Sequence, residues 1–358
     1  MKKKLIAIVV GAAAVMPALA LADVSIYGRA HVSVDFLDDG ADYSETNLSS
    51  NSSRIGFKGD HQINQDLTAF YQIEQEVNFT NDNGGSGLNT RDTFVGLKGS
   101  NWGAIQAGRF DSPFKKARGP ANLFGDQVGD MRNLTRLDQT TPDDVRERAR
   151  FDERYDNTIQ YTTPSFSGFT FAAAYSLYEG QTAEPDHDSD AFSMALNYGS
   201  GPLAASLAYE QVEEDGAGGE RDALRAAAAY SLTDAFKLVG FYQTNDYDGT
   251  DDELLRDRLT ADVYGLGGEY KLTDATALKA MWMTRDSDAD NNDADMWVVG
   301  IEHKLDKAVR VYANYAMVDN DETAGLVPWQ QGRTASGERD GAFGEEASAF
   351  SVGLRYDF

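Results

Sequence analysis

The titratable and nucleophilic residues of this chain are spaced for electrostatics and not for bond making. Its four histidines, His31, His61, His187 and His303, are scattered and never fall at the His-x-x-x-His spacing of a metal site. There is no cysteine, so neither a thiolate nor a disulfide enters the chemistry. Asp286-Ser287-Asp288-Ala289-Asp290-Asn291-Asn292-Asp293 imitates a calcium loop. It lacks the glycine at position six and puts Trp297 where a bidentate glutamate belongs, which excludes an EF-hand. No serine, histidine and acid fall together as a nucleophilic set, so an enzyme is not expected, and nothing calls for a cofactor. What remains is paired charge. Arg54 alternates with Ile55 and Phe57; Arg29, Arg154 and Arg355 share the parity of polar neighbours; Arg91 stands in antiphase to Phe94. Glu74 and Glu76 are carboxylates with which any of these could simply pair. Guanidinium groups held opposite carboxylates orient and sort charged solutes.

The elements that would hold these residues are short strands. Val24, Ile26, Ala30, Val32, Val34 and Phe36 share one face, and Ser25, Arg29, His31, Ser33 and Asp35 share the other. The same period of two recurs to Phe350, Val352, Leu354, Tyr356 and Phe358. It predicts sixteen strands, over 24–36, 53–62, 67–79, 91–98, 103–110, 154–163, 168–178, 191–198, 202–212, 222–232, 235–245, 260–272, 275–285, 295–304, 308–318 and 347–358. Several have the roughly 9–11 residues with which a tilted strand crosses a bilayer.

The connections decide between a soluble secreted sandwich and a membrane barrel. Short ones rich in Gly, Asn, Asp and Ser, such as Gly199-Ser200-Gly201, Thr233-Asp234, Thr273-Asp274 and Asp306-Lys307, alternate with long ones such as 37–52, 111–153, 246–259 and 319–346. Tight turns on one rim and long loops on the other are the signature of a transmembrane β-barrel. Charge follows the same division. The formal net charge is −26, or about −29 without the three lysines near the start, and the long connections other than 111–153 carry about −27 of it. A sandwich gives no reason for charge to segregate by loop parity, and acidity this strong argues against nucleic-acid binding.

Residues 1–22 read as a secretory signal: Lys2 to Lys4, an apolar run from Leu5 to Leu21, and a small-x-small site at Ala20-Leu21-Ala22, with Ala18-Leu19-Ala20 as a second choice. Residues 23–358 then form one barrel domain, and no later stretch has the roughly 18–20 apolar residues of a spanning helix.

Several segments are similar to those of Gram-negative general porins: Ser53-Arg54-Ile55-Gly56-Phe57-Lys58-Gly59, Thr93-Phe94-Val95-Gly96-Leu97-Lys98-Gly99, Trp102 to Phe110, and Asp156-Asn157-Thr158-Ile159-Gln160-Tyr161. The resemblance implies a sixteen-stranded antiparallel barrel in the outer membrane, a homotrimer, and a third long loop folded into the lumen. That loop is 111–153, with Asp126, Asp130, Asp138, Asp143 and Asp144 along it; a plain external loop is the alternative. Opposite it the resemblance implies basic residues, for which Arg54, Arg91 and Arg154 are the candidates, with Glu74 as a wall carboxylate. Arg146-Glu147-Arg148-Ala149-Arg150 could line the same constriction or be a solvated charge run. Phe358 and Tyr356 resemble the signal read by the barrel assembly machinery, and equally an ordinary aromatic girdle, as do Trp102, Trp282 and Trp297; Trp329 fits none.

The expected function is passive diffusion of small hydrophilic solutes and ions across the outer membrane. The alternative is a substrate-specific channel for a sugar or organic anion; the inward aromatics Tyr27, Phe70, Phe241 and Tyr312 are too scattered for a sugar path. A non-pore adhesin or enzyme is disfavoured. Lipid and lipopolysaccharide, the latter through divalent cations on the acidic loops, are the expected surroundings. The acidic rim argues for cations and an arginine cluster for anions; the sequence leans to cations because the rim charge is the surer of the two.

Overall fold

The computed structural model describes residues 23–80, 88–136, 150–179, 188–214, 220–248, 253–333 and 341–358. The strands are β1 (Asp23–Asp38), β2 (Ser44–Ser50), β3 (Arg54–Asn64), β4 (Leu67–Val77), β5 (Leu88–Thr90), β6 (Thr93–Gly99), β7 (Gly103–Asp111), β8 (Arg154–Thr162) and β9 (Phe169–Glu179). They continue as β10 (Asp188–Ser200), β11 (Leu203–Glu214), β12 (Arg221–Ser231), β13 (Phe236–Tyr247), β14 (Ala261–Lys271), β15 (Thr276–Ser287), β16 (Ala294–Lys304), β17 (Val309–Asn320) and β18 (Ala347–Asp357). Every neighbour is antiparallel, and β1 closes the sheet by pairing with β18 on one side and with β2 and β3 on the other. β2 and β3 lie end to end along β1, and β5 and β6 along β4, so the segments fill the sixteen positions of a closed barrel.

The two broken positions are where the expected strand starts were late. Residues 44–50 and 88–90 fell in connections expected to be loops, yet both join the wall. The first break, Asn51 to Ser53, has Ser52 at a positive φ of 50°. The His31 amide donates to Ser53 Oγ at 2.9 Å, so a hydroxyl takes the place of the missing ladder partner. Three tight turns use one device: Thr233 Oγ1, Thr273 Oγ1 and Asp306 Oδ1 accept from the amides of Phe236, Thr276 and Val309 at 3.0, 3.0 and 2.6 Å.

Alternation sorts the wall into two faces. Val34, Phe36, Leu207, Leu224, Tyr242, Val299 and Val352 are exposed on the outside, where lipid replaces water, while Ser33, Asp35, Ser206, Arg225 and Ser351 are buried on the inside. Near the long loops, outward aromatics donate to outward carboxylates: Tyr175 to Asp190 at 2.6 Å, Tyr242 to Asp262 at 2.9 Å and Trp282 Nε1 to Asp295 at 3.1 Å. Four acidic pairs also face each other in register there, Asp190 with Glu213, Asp222 with Asp246, Asp262 with Asp286 and Asp295 with Asp319. At the other rim Phe358 exchanges backbone hydrogen bonds with Gly28 at 2.8 and 3.0 Å, and its ring covers the space a Cβ on Gly28 would occupy.

The lumen departs from the expected polar interior. Part of the inner face of β13–β16 is apolar, with Val239, Phe241, Val263, Met281, Met283, Met296 and Val298 all buried. Short inward segments cover it, and together they form a hydrophobic core inside the barrel.

Candidate functional site

The segment after β7 supplies that covering. Ser112 caps α1 (Pro113–Ala117) by accepting the Lys115 amide at 3.1 Å, and Pro113 pre-sets the first helical φ. A 3₁₀ turn follows at Gly119–Ala121, then α2 (Arg132–Thr135). Inward-facing wall groups hold the backbone: Ser193 Oγ accepts the Phe114 amide at 3.0 Å, Ser206 donates to the Ala117 carbonyl, and Gln243 Nε2 donates to the Thr135 carbonyl at 2.8 Å. Leu123, Phe124, Val128, Met131 and Leu134 enter the apolar core. The described part of 111–153 therefore lies against the inner wall, and a plain external loop is excluded for it.

Its root is locked by a buried ion pair. Arg225 binds Asp152 through both nitrogens at 2.7 and 2.8 Å, both side chains having no exposure, and lies 4.1 Å over the Phe114 ring. Burial opposes ionisation of Asp152, but the Arg225 guanidinium outweighs it and holds the carboxyl well below the usual carboxylate range.

A second inward segment packs on the first. Trp329 is 2% exposed and stacks with Tyr43 at 6.4 Å. The Asn133 side chain donates to the Pro328 carbonyl at 2.9 Å and accepts from the amides of Gln330 and Gln331 at 3.1 Å. The last long loop, with no place in the expected girdles for its tryptophan, thus seals the core from above.

Across the remaining space the loop meets arginines. Asp126, with φ of 60°, carries one carboxylate to Arg29 at 3.2 Å, Arg132 at 2.9 Å and Arg54 at 4.0 Å. Burial pushes its pKa up, yet Arg132, Arg54 and Arg29 together hold it well below the ordinary range. Arg54 also approaches Glu74 at 3.6 Å, and Glu74 accepts from Arg91 at 2.6 Å and from Tyr27 at 2.9 Å. On the other flank Arg29 pairs with Asp357 at 2.9 Å, which also holds Arg355 at 2.8 Å and Arg310 at 3.6 Å.

The candidates divide accordingly. Arg54, Glu74 and Asp126 meet in one cluster. Arg91 sits at the β5–β6 break, not within a strand, and is spent on Glu74 and Glu76. Arg154 bridges Asp92 and Asp111, both at 2.6 Å, and does not touch Asp126. Asp130 has no exposure; it accepts from the Asp126 amide at 2.7 Å and from Arg132 Nη2 at 2.6 Å, bracing the bend instead of facing water. Asp138, Asp143, Asp144, Arg146 and Arg148, like residues 1–22 and His187, lie outside the described residues. Arg150 pairs with Glu153 at 2.6 Å.

Parity had put Arg29 and Arg355 on the inner face but not in the cluster. Arg132, Arg225 and Arg310 were missed, though Arg225 and Arg310 alternate with outward Leu224 and Val309 and carried the same signal. Among the described residues no group of three or more acidic or histidine side chains could hold a metal.

Comparison with known proteins accords with this geometry. A family model described as Gram-negative porin matches residues 7–323. The outer membrane porin protein 32 of Delftia acidovorans is 28% identical over all of both chains. The major outer membrane protein P.IB of Neisseria sicca is 28% identical over 69% of this chain and 70% of its own length. Among solved structures, the anion-selective porin from Comamonas acidovorans superposes with a TM-score of 0.79 at 24% identity, covering 94% of this chain and all of that one.

Proposed function

The chain belongs to the Gram-negative porin family, and from that premise we propose that its selective narrowing lies between Asp126 on the inward loop and Arg29 and Arg54 on the wall. It is an outer-membrane porin, a water-filled passage for passive diffusion of small hydrophilic solutes and ions. One observation carries the proposal: Asp126 faces two wall guanidinium groups, Arg29 and Arg54, while Arg132 beside it is shared with Asp130, so bases outnumber acids where loop and wall meet. Glu74 and Asp357 are shared between arginines in the same way.

Selectivity in such a pore is set where ion and wall are closest, while charge on an external rim is screened within about 8 Å at physiological salt. The arginine cluster therefore outweighs the acidic loops, and the channel prefers anions, against the lean of the sequence to cations. It catalyses no reaction. Residues 1–22 are the export signal, and Phe358 with Tyr356 presents the face read during barrel assembly. The functional unit is a homotrimer in lipid and lipopolysaccharide, as one related structure is described as a trimer form.

Reversal potential across a planar bilayer under a KCl gradient tests this. Chloride should carry most of the current, and Arg29→Gln with Arg54→Gln should move the potential towards potassium. An unchanged potential in that variant would place the selective narrowing elsewhere. Conductance rising in groups of three supports the trimer.

A further inference from the structure

The charge of this barrel is segregated along its axis as well as across it. Among the described residues, the ends of the wall that meet the long loops carry no lysine, while Glu45, Glu253, Asp321, Glu322, Glu345 and Glu346 are exposed there. At the short-turn end the lumen face carries Lys58, Lys98, Lys237, Lys271, Lys279 and Lys304, each one position out of phase with an exposed outward residue: Phe57, Leu97, Leu238, Tyr270, Leu278 and, three positions before Lys304, Ile301. The carboxylates paired with them inside the strands are Asp60, Glu269 and Glu302, at 2.9, 3.4 and 2.9 Å. The tight turns add Asp66, Asp234, Asp274 and Asp306 against Lys307, so this end is close to neutral overall and basic on its water-facing side. Between the two ends stands the arginine cluster.

From this layout we infer that the channel is an ionic rectifier, conducting more strongly when the extracellular side is positive. The inference rests on the channel reading above. Charge lining a confined mouth concentrates its counter-ions. The acidic outer mouth therefore passes mostly cations, and the basic inner part passes anions at least as readily. With the extracellular side positive, cations enter through the mouth that admits them and anions enter from the periplasm through the lysines. Both accumulate at the narrowing, and conductance rises. With the polarity reversed, each ion must enter through the end that repels it, and the narrowing is depleted of salt. Neither the cross-pore field nor the net charge alone has this directional consequence.

The test is the current–voltage curve of the full-length protein in symmetrical KCl, with orientation fixed chemically. The chain has no cysteine, so Ser200→Cys at the exposed end of β10, beside the short turn, gives one thiol that a membrane-impermeant maleimide reaches only from the periplasmic side. At about 0.01 M KCl, where the Debye length is ~30 Å, the currents at opposite voltages should differ by roughly twofold, the larger with the extracellular side positive. At about 1 M, where the Debye length is ~3 Å, the curve should become symmetrical. Lys58→Gln, Lys98→Gln, Lys271→Gln and Lys304→Gln combined should lower the ratio at low salt. All four side chains lie at the solvent-exposed end of the wall, and retained heat-resistant migration on gels shows that the variant is folded. A symmetrical curve at low salt, a larger current of the opposite polarity, or a ratio unmoved in the folded quadruple variant would overturn the inference while leaving the porin reading intact. Failure to conduct at all would remove both.

Discussion

Replacing Arg225 with methionine should release the inward loop from the wall. The guanidinium makes two hydrogen bonds to Asp152, one to the Phe114 carbonyl at 3.1 Å, another to Gln243 Oε1 at 2.7 Å, and covers the Phe114 ring. Methionine keeps the apolar contact and removes the charge. Asp152 would be left fully buried with Arg118 at 3.4 Å as its remaining ion-pair partner, and stranding one member of a buried pair costs about 3–5 kcal/mol. At about 1.4 kcal/mol per tenfold, the undocked population rises by roughly two to three and a half orders of magnitude. The barrel ladder is untouched, because the side chain and not the backbone of Arg225 is lost. Single-channel recording should therefore show folded trimers with a noisier open state and frequent conductance jumps. The companion Arg225→Met/Asp152→Leu removes both charges and should return the trace close to wild type, since apolar replacement of a buried pair is often neutral or stabilising. A quiet, unchanged trace in the single variant would refute the idea that this pair anchors the loop. So would equal disruption in single and double variants, which would point to packing instead of charge.

Trp329→Ala should cost about 3–5 kcal/mol at the lid of the internal core and raise unit conductance, read by single-channel recording after heat-modified gel migration confirms a folded barrel. Lys115 sits 3.0 Å from Asp111, and burial pulls its pKa down to about 8 although Asp111 opposes the shift. Its folded pKa lies below the ordinary lysine value, so the docked loop disfavours the proton. Docking should strengthen as pH rises from about 8 towards 10.5, and anion preference should fall around pH 8, where the docked group loses its charge. Reversal potentials between pH 7 and 9 should show that step in the wild type and not in Lys115→Met. Asp222→Asn relieves one of the facing acidic pairs and should stabilise the barrel by about 0.2–1 kcal/mol, seen as a higher midpoint of thermal unfolding in detergent.

The wall was legible because it is local. A strand crossing a membrane must show lipid one residue in two, so period two gives each strand, its faces and the direction in which Arg29, Arg54 and Arg355 point. Turn chemistry at Thr233, Thr273 and Asp306 marks the short rim, and the charge of the long connections marks the other. Parity did not reveal that β13–β16 turn Met281, Met283, Met296 and Val298 inward, since apolar residues on both faces give no phase by themselves. Their burial depends on Phe124 and Trp329, which arrive from distant parts of the chain. The same holds for the charges. Arg225 and Asp152 are 73 positions apart and Arg29 and Asp126 are 97 apart. Sequence fixes which side of the wall each occupies, whereas closure of the barrel and the path of the loops select the partner. Thus the sequence alone determined a sixteen-position barrel and the rim that carries its charge. Only the tertiary structure decided that part of its lumen is a hydrophobic core, and that Asp130 braces the loop while Asp126 faces the arginines.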